Sequence, residues 1–351
     1  MPNVMFIALP FAAAFITSII FAPGLIAALK RRGAGQRISE DGPDSHKSKA
    51  GTPTMGGFII VAGIFGGALA STWCFRPMTS PQGSITSWIP TLTAVLMLIL
   101  GYCLLGFIDD YLTINPIGSV RGISSKPKFI LQVLLAAGFL AWLAIAHKNT
   151  FAPVLFIGGV QVLGGWLYWA FALVFLVGMA NFVNITDGLD GLVAGLTAIA
   201  TLAFTLLLIF VPLRHATESR EVVLIMPAIA GACLAFLWHN TNPARIFMGD
   251  TGALAIGVAL PAVAIITHTE IVMMVLGLVF IVDGLSSALQ WAIFKFTRIT
   301  TGTGRRVFKK SPIHHHFELS GFSEQTVVVR FWICAILAVL IAFIGAGFNW
   351  W

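Results

Sequence analysis

Apolar runs long enough to cross a bilayer recur from one end of this sequence to the other, leaving no room for a sizeable soluble domain. In hydrocarbon every backbone N–H and C=O must be paired within the protein, so repeated runs of about 20 apolar residues fold as a bundle of membrane helices. Composition agrees: 58% of the 351 residues are hydrophobic and 10% charged, with a mean hydropathy of +0.91, far outside soluble usage. The pattern predicts an all-α polytopic integral membrane protein forming a single domain over residues 1–351. Ten spans are expected, near 4–29, 55–75, 88–112, 129–147, 160–181, 189–211, 222–239, 251–267, 271–294 and 327–348. The first run lacks a preceding basic region and a small-residue cleavage site, and so reads as a retained span. Residues 148–166, with GGVQVLGG, read as a turn or short hairpin before the fifth span.

Basic residues set the orientation. Of the 21 Lys and Arg, all but Arg76, Lys148, Arg214 and Arg220 fall in the odd-numbered connections, with Lys295, Arg298 and Arg330 assigned to the ninth. That side is expected to be cytoplasmic, with both termini on the opposite face. The cysteines Cys74, Cys103, Cys233 and Cys334 are scattered singly and imply neither a disulfide framework nor a zinc site.

The acids sort in the same way. Asp109, Asp110, Asp187, Asp190 and Asp250 sit at the cytoplasmic ends of different spans, Glu218, Glu221 and Glu270 lie on the other side, and Asp283 is inside the ninth span. Five carboxylates at one depth repel unless cations hold them. Oxygen-only ligation points to Mg²⁺, which takes one or two carboxylates plus phosphate oxygens and water. The remaining acids are then free to orient substrate or move protons.

Five stretches carry this chemistry. In NFVNITDGLD, read as a helix, Asn181, Asn184, Asp187 and Asp190 follow at i, i+3 steps and form one polar stripe. Polar groups at the edge of apolar segments point to a functional site; a solvated loop using Asp and Asn as caps is the alternative. In GFIDDYLTI the adjacent Asp109 and Asp110 point roughly 100° apart, so one can face a site while the other caps or pairs. In NPARIFMGDTGALAIG, Asp250 opens a helix whose N–H groups favour anions, two residues beyond Phe247-Met248, an aromatic shelf suited to a base; a plain N-cap is the alternative. KKSPIHHHFE holds His314, His315 and His316, which cannot all face one point, so one or two bind phosphate or donate protons and the third is structural. SHKSKAGTPTMGG offers Lys47, Lys49, Thr52 and Thr54 to phosphate or nucleotide. In RGISSKPKF the positive-inside bias accounts for Arg121 and Lys126. No GxxxxGK[ST] loop occurs, so ATP-driven transport has no support.

Together DGPDSHKSKAGTPTMGG, GFIDDYLT, NFVNITDGLDGL, NPARIFMGDTGALAIG and KKSPIHHHFE resemble the polyprenyl-phosphate N-acetylhexosamine-1-phosphate transferases, and PIHHHFE favours the muramoyl-pentapeptide branch of that superfamily. The resemblance implies an Mg²⁺-dependent enzyme of a bacterial inner membrane. Such an enzyme moves phospho-MurNAc-pentapeptide from UDP-MurNAc-pentapeptide to undecaprenyl phosphate, releasing UMP and yielding lipid I, at a site facing the cytoplasm. It assigns Asp250 as metal ligand with Asp109 or Asp110, one of which is also a candidate base. Asn184, Asp187, Asp190, Asn240 and Phe247 match the family's nucleotide-sugar surface. Lys47, Lys49, Thr52, Thr54, Lys128, Asn181 and Gln290 complete the substrate-binding set, and His315, with His314 and His316, steadies phosphate charge. Asp283 departs from the Glu that relatives usually carry. The expected partners are the two substrates and membrane lipids, with a homodimer open and no nucleic acid. Two rival readings are a transferase using UDP-GlcNAc and a proton-coupled transporter. Against the transporter, the acids gather at one face rather than along a route.

Overall fold

The computed structural model describes residues 5–35, 51–75, 89–116, 122–211, 220–348 and 350. Lys47, Lys49 and Arg121 lie outside the described residues. In chain order the elements are α1 (Met5–Arg31), α2 (Gly57–Phe75), α3 (Ile89–Ile114), α4 (Ser125–Ala146), a hairpin of β1 (Val154–Ile157) and β2 (Val160–Gly164), and α5 (Trp166–Thr186). They continue with α6 (Leu192–Phe210), a 3₁₀ turn at Arg220–Leu224, α7 (Ile225–Asn240), α8 (Gly249–Thr267), α9 (Glu270–Leu276), α10 (Leu278–Thr301), α11 (Ile313–Glu318) and α12 (Glu324–Gly347).

Among the described residues nine helices are long and apolar enough to cross a membrane. A shorter apolar helix, Gly57–Trp73, takes the place of the second predicted span. The protein is a multi-pass all-α membrane protein. Its outer faces carry Ile20, Leu69, Ile145 and Val174 in the open; that much apolar exposure on a monomer is stable only against lipid.

The bundle is built around α8, which is buried at every residue from Thr251 to Thr267. Its sequence, GDTGALAIGVALPAVAIIT, is nearly all small or aliphatic, so neighbouring backbones come close, as membrane helices require when hydrophobic drive between them is absent. Gly57 on α2 lies against the backbone of Gly252, Gly106 on α3 against the carbonyl of Asp250, and Gly257 against Ala180 on α5; a Cβ at any of the three would collide with that neighbour. Substituting Gly106 or Gly57 therefore moves the first turn of α8, where Asp250 sits.

Several predicted boundaries shift. The fifth span starts at Trp166, not 160, because VQVLG pairs with VLFI across a Gly158-Gly159 turn, both glycines at positive φ, as a two-residue hairpin loop demands. The ninth span is interrupted at Gly277 and then runs to Thr301, so Lys295 and Arg298 belong to α10 rather than to a connection. Arg330 likewise lies within α12, its guanidinium over the Phe322 ring at 4.2 Å. The polar stripe expected through Asp190 stops at Thr186: Asp187 is a C-cap, and Gly191, at φ 80°, starts a new helix.

Candidate active site

The N-terminus of α8 is the point where four helices meet. Gly249 has a positive φ of 70° and no room for a Cβ, since Asp110 Oδ2 and Thr54 Oγ1 stand where one would go. Asp110, near the end of α3, lays its carboxylate across this terminus. Its Oδ2 accepts from the Thr251 N–H at 3.1 Å and the Thr251 hydroxyl at 2.6 Å, and Oδ1 accepts from the Asp250 N–H at 3.2 Å. Asp110 is thus an N-cap supplied by another helix, with its charge on the positive end of the α8 dipole.

One residue earlier, and so about 100° around α3, Asp109 turns the other way. Its Oδ1 accepts from the Ile123 N–H at 2.6 Å and its Oδ2 pairs with the Lys128 ammonium at 3.1 Å. Lys128, on the first turn of α4, also pairs with Asp250 Oδ2, so one ammonium bridges two carboxylates. Asp187 stands close by. Burial first, then the like charges of Asp250, Asp110 and Asp190, push its carboxyl up to about 8, against partial relief from the Gly249 N–H. The five acids predicted to converge share one region. Among the described residues no group of three His, Cys, Asp or Glu forms a preformed metal cage.

A second set of polar groups clamps the neighbouring loops. Asp190 Oδ2 accepts from the Asn242 amide and the Ala244 N–H, each at 3.1 Å. Glu324, at the start of α12, accepts from the Asp190 N–H at 2.7 Å and from Asn242 at 2.9 Å. Asn240 is buried and uses both ends of its amide within the protein: Oδ1 accepts from the Gly191 N–H at 2.9 Å and Nδ2 donates to the Ile246 carbonyl at 2.8 Å. Phe247, half-buried, donates its N–H to the Pro53 carbonyl at 2.8 Å, while Gly56 and Gly57 donate back to the Phe247 and Met248 carbonyls. That pairing brings the TPTMGG segment, with Thr52 and Thr54, to the mouth of α8. Asn181 is tied elsewhere, donating to Gln132 Oε1 at 2.6 Å and to the Val177 carbonyl at 2.7 Å; the Asn184 carbonyl accepts from the Asp187 N–H at 3.3 Å.

The histidine run forms α11, and its three rings diverge as their adjacency requires. His314 is fully buried with Nδ1 on Asp283 at 2.8 Å. His315 Nδ1 meets Glu318 at 2.7 Å, and burial pushes its imidazole below the usual range, opposed by that bond. His316 Nδ1 accepts from the Lys309 N–H at 3.1 Å, and Gln290 Oε1 accepts from the Phe308 N–H at 2.8 Å. Sequence reasoning missed Glu324, Asn242, Gln132 and Glu318. Only Ser323 before Glu324, capping α12 through the Thr326 N–H, gave a local sign of a helix start.

Acids from α3, the α5–α6 turn and α8, joined by a lysine of α4 within a bilayer-spanning bundle, define a polytopic membrane enzyme with an acidic centre at its helix ends. Residues 92–268 match the model of Glycosyl transferase family 4, and residues 49–61 match the phospho-N-acetylmuramoyl-pentapeptide-transferase signature 1. Among curated relatives, the phospho-N-acetylmuramoyl-pentapeptide-transferase of Bacillus subtilis (strain 168) is 40% identical over 93% of this chain and 94% of its own length. The protein of that name from Shouchella clausii is 42% identical over 96% and 95%, and that from a Synechococcus strain 39% over 98% and 92%. The chain belongs to the phospho-N-acetylmuramoyl-pentapeptide-transferase family, and with it to the glycosyl-1-phosphate transferases of bacterial membranes.

Proposed function

We infer that this protein transfers phospho-MurNAc-pentapeptide from its UDP carrier to undecaprenyl phosphate, releasing UMP and forming lipid I for peptidoglycan synthesis. The observation that carries the reading is family membership along more than nine-tenths of the chain, joined to an acidic centre at helix ends. In this reading the lysine- and arginine-rich connections face the cytoplasm and both termini face away from it.

Phosphoryl transfer asks a protein chiefly to position reactants and to stabilise charge. Asp250 and Asp109 supply hard oxygen donors bridged by one ammonium, that of Lys128. That donor set fits Mg²⁺, which needs one or two carboxylates and takes its other ligands from substrate phosphates and water. Bound there, Mg²⁺ would neutralise charge on the diphosphate. Lys128, released from Asp109 or Asp250, turns to a phosphate oxygen. Asp110 holds the Asp250 backbone in place through the α8 cap. Thr54, beside Gly249, borders the phosphate-binding end, Thr52 and His315 are assigned to phosphate with it, and Phe247 offers its ring to the base. A lipid phosphate is already largely anionic near neutral pH, so Asp109 is needed less as a base than as an electrostatic guide.

The test is UMP release by purified protein with undecaprenyl phosphate, run with UDP-MurNAc-pentapeptide and with UDP-GlcNAc, each with Mg²⁺ or with chelator. Release from the muramoyl donor only, abolished by chelator, is expected. Release from UDP-GlcNAc alone would move the protein to the neighbouring substrate class, and full activity in chelator would remove the metal from the reading.

A further inference from the structure

The second to fourth turns of α10 carry VDGLSSALQ, and within them Asp283 is fully buried, as is His314 on α11. Two donors of one residue converge on this carboxylate. The His314 backbone N–H reaches Oδ1 at 3.2 Å and the ring Nδ1 reaches Oδ2 at 2.8 Å. One turn on, the Ser286 hydroxyl donates to the Asp283 carbonyl at 2.6 Å and accepts from the Ile313 N–H at 2.9 Å. The start of α11 is thereby tied to α10 by backbone and side chain together, and the imidazole has no freedom to turn.

A carboxylate accepts and does not donate, so Nδ1 carries the hydrogen of this bond and Nε2 is the ring atom left to act. Nε2 is buried and has no hydrogen-bond partner among the described residues. It faces Gly188 so closely that a Cβ on that residue would collide with it, and Gly188 follows Asp187 in the turn that borders the acidic centre. Buried ring nitrogens are rarely left unpaired, and one held at a functional turn calls for a partner that arrives.

We propose that Asp283 is a positioning residue for the transfer: it holds Nδ1 of His314 and so keeps Nε2 at the Asp187–Gly188 turn, where a polar group of the bound nucleotide sugar supplies the missing hydrogen-bond partner. This rests on the transferase reading and narrows it, because it assigns one ring atom, Nε2 of His314, to a polar group of the donor substrate at that turn. Gly188 is the complement of this arrangement, the residue that leaves space for the ring.

An amide in place of the carboxylate separates positioning from packing, since asparagine has nearly the same shape but one accepting oxygen for two converging donors. Asp283→Asn must give up one of the two bonds or turn its amide N–H toward Nδ1, and either change alters how the ring is held. Asp283→Asn is expected to raise KM for UDP-MurNAc-pentapeptide at least tenfold, with KM for undecaprenyl phosphate within twofold of wild type. Asp283→Glu is expected to restore the donor KM to within threefold, and Asp283→Asn combined with His314→Ala to be no worse than His314→Ala alone. An Asp283→Asn enzyme within twofold of wild type on the donor, or effects that multiply in the double variant, overturns the proposal. Should Asp283→Asn fail to fold, ¹⁵N spectra of ring-labelled histidine in the wild-type protein decide. Donor binding is expected to shift the His314 Nε2 resonance, identified by its loss in His314→Gln, and an unchanged resonance overturns the proposal. Wild-type protein that releases no UMP from the muramoyl donor counts against the transferase reading instead.

Discussion

Asp250 and Asp190 bracket the same loops and have opposite surroundings. Asp190 accepts from an asparagine amide and a backbone N–H while its own N–H is held by Glu324. Asp250 pairs with Lys128 and faces further carboxylates, Asp109 and Asp187 among them. An acid that accepts from neutral donors of its own protein fixes the loops that carry those donors. An acid bridged by one ammonium and surrounded by like charges has the surroundings that suit an external cation. The same test divides the adjacent pair on α3, where Asp110 caps α8 and Asp109 meets Lys128.

Asp250→Asn probes this difference most strongly. It removes charge without removing a cap, so turnover should fall by about 100-fold or more, the scale of one well-placed group in a charge-stabilised transition state, ~3 kcal/mol. Thermal unfolding in detergent should stay near wild type. Activity within a few-fold of wild type would end the assignment of Asp250 to the reacting centre.

Asp110→Asn should instead move both readouts. The amide can accept from only part of the Thr251 and Asp250 donor set, costing about 1–2 kcal/mol of stability as lost caps do, and the shifted α8 terminus should lower turnover by roughly tenfold through misplaced Asp250. Turnover lost with unfolding unchanged would instead place Asp110 among the groups that meet substrate. Glu324→Gln lies on the scaffold side of the comparison. Weakening its charge-assisted bonds to the Asp190 N–H and Asn242 should cost about 1–2 kcal/mol of stability and leave turnover at saturating substrate within roughly threefold. A hundredfold loss of turnover without destabilisation would erase the distinction.

Much of this was legible in the sequence, for identifiable reasons. Apolar run length is a local property, so the spans and the loops carrying Asp109, Asp187 and Asp250 could be placed before any contact was known. The break at Gly277 left no trace because Leu276 and Leu278 continue the apolar pattern, whereas the hairpin was legible in the glycines of GGVQVLGG, and only the overlap of the fifth span with it came from the apolar VQVLG. The DGLDG turn that ends the stripe at Thr186 was written in its glycines and was overridden by the attractive i, i+3 spacing. Sorting scaffold acids from reactive ones was beyond the sequence. The partners that decide it, Glu324 for Asp190 and Lys128 for Asp250, lie 134 and 122 residues away, and no local pattern encodes them.

The smallest expected effect is a displacement of a pH profile, and it tests whether the acidic centre is incomplete without a cation. Burial and the neighbouring acids raise the Asp187 carboxyl to about 8, so below that pH it is protonated and above it charged. A divalent cation adds positive charge beside it, favours the ionised form and lowers the midpoint. At limiting Mg²⁺, kcat/KM for the nucleotide sugar should therefore rise with pH through a limb near 8. Raising Mg²⁺ should move that limb to lower pH by about one unit, a differential interaction of about 1.4 kcal/mol. Asp187→Asn should remove the limb and its Mg²⁺ dependence together. If the limb persists in Asp187→Asn, it belongs to another group; if it stays fixed as Mg²⁺ is raised, the cation does not share the region where these carboxylates meet.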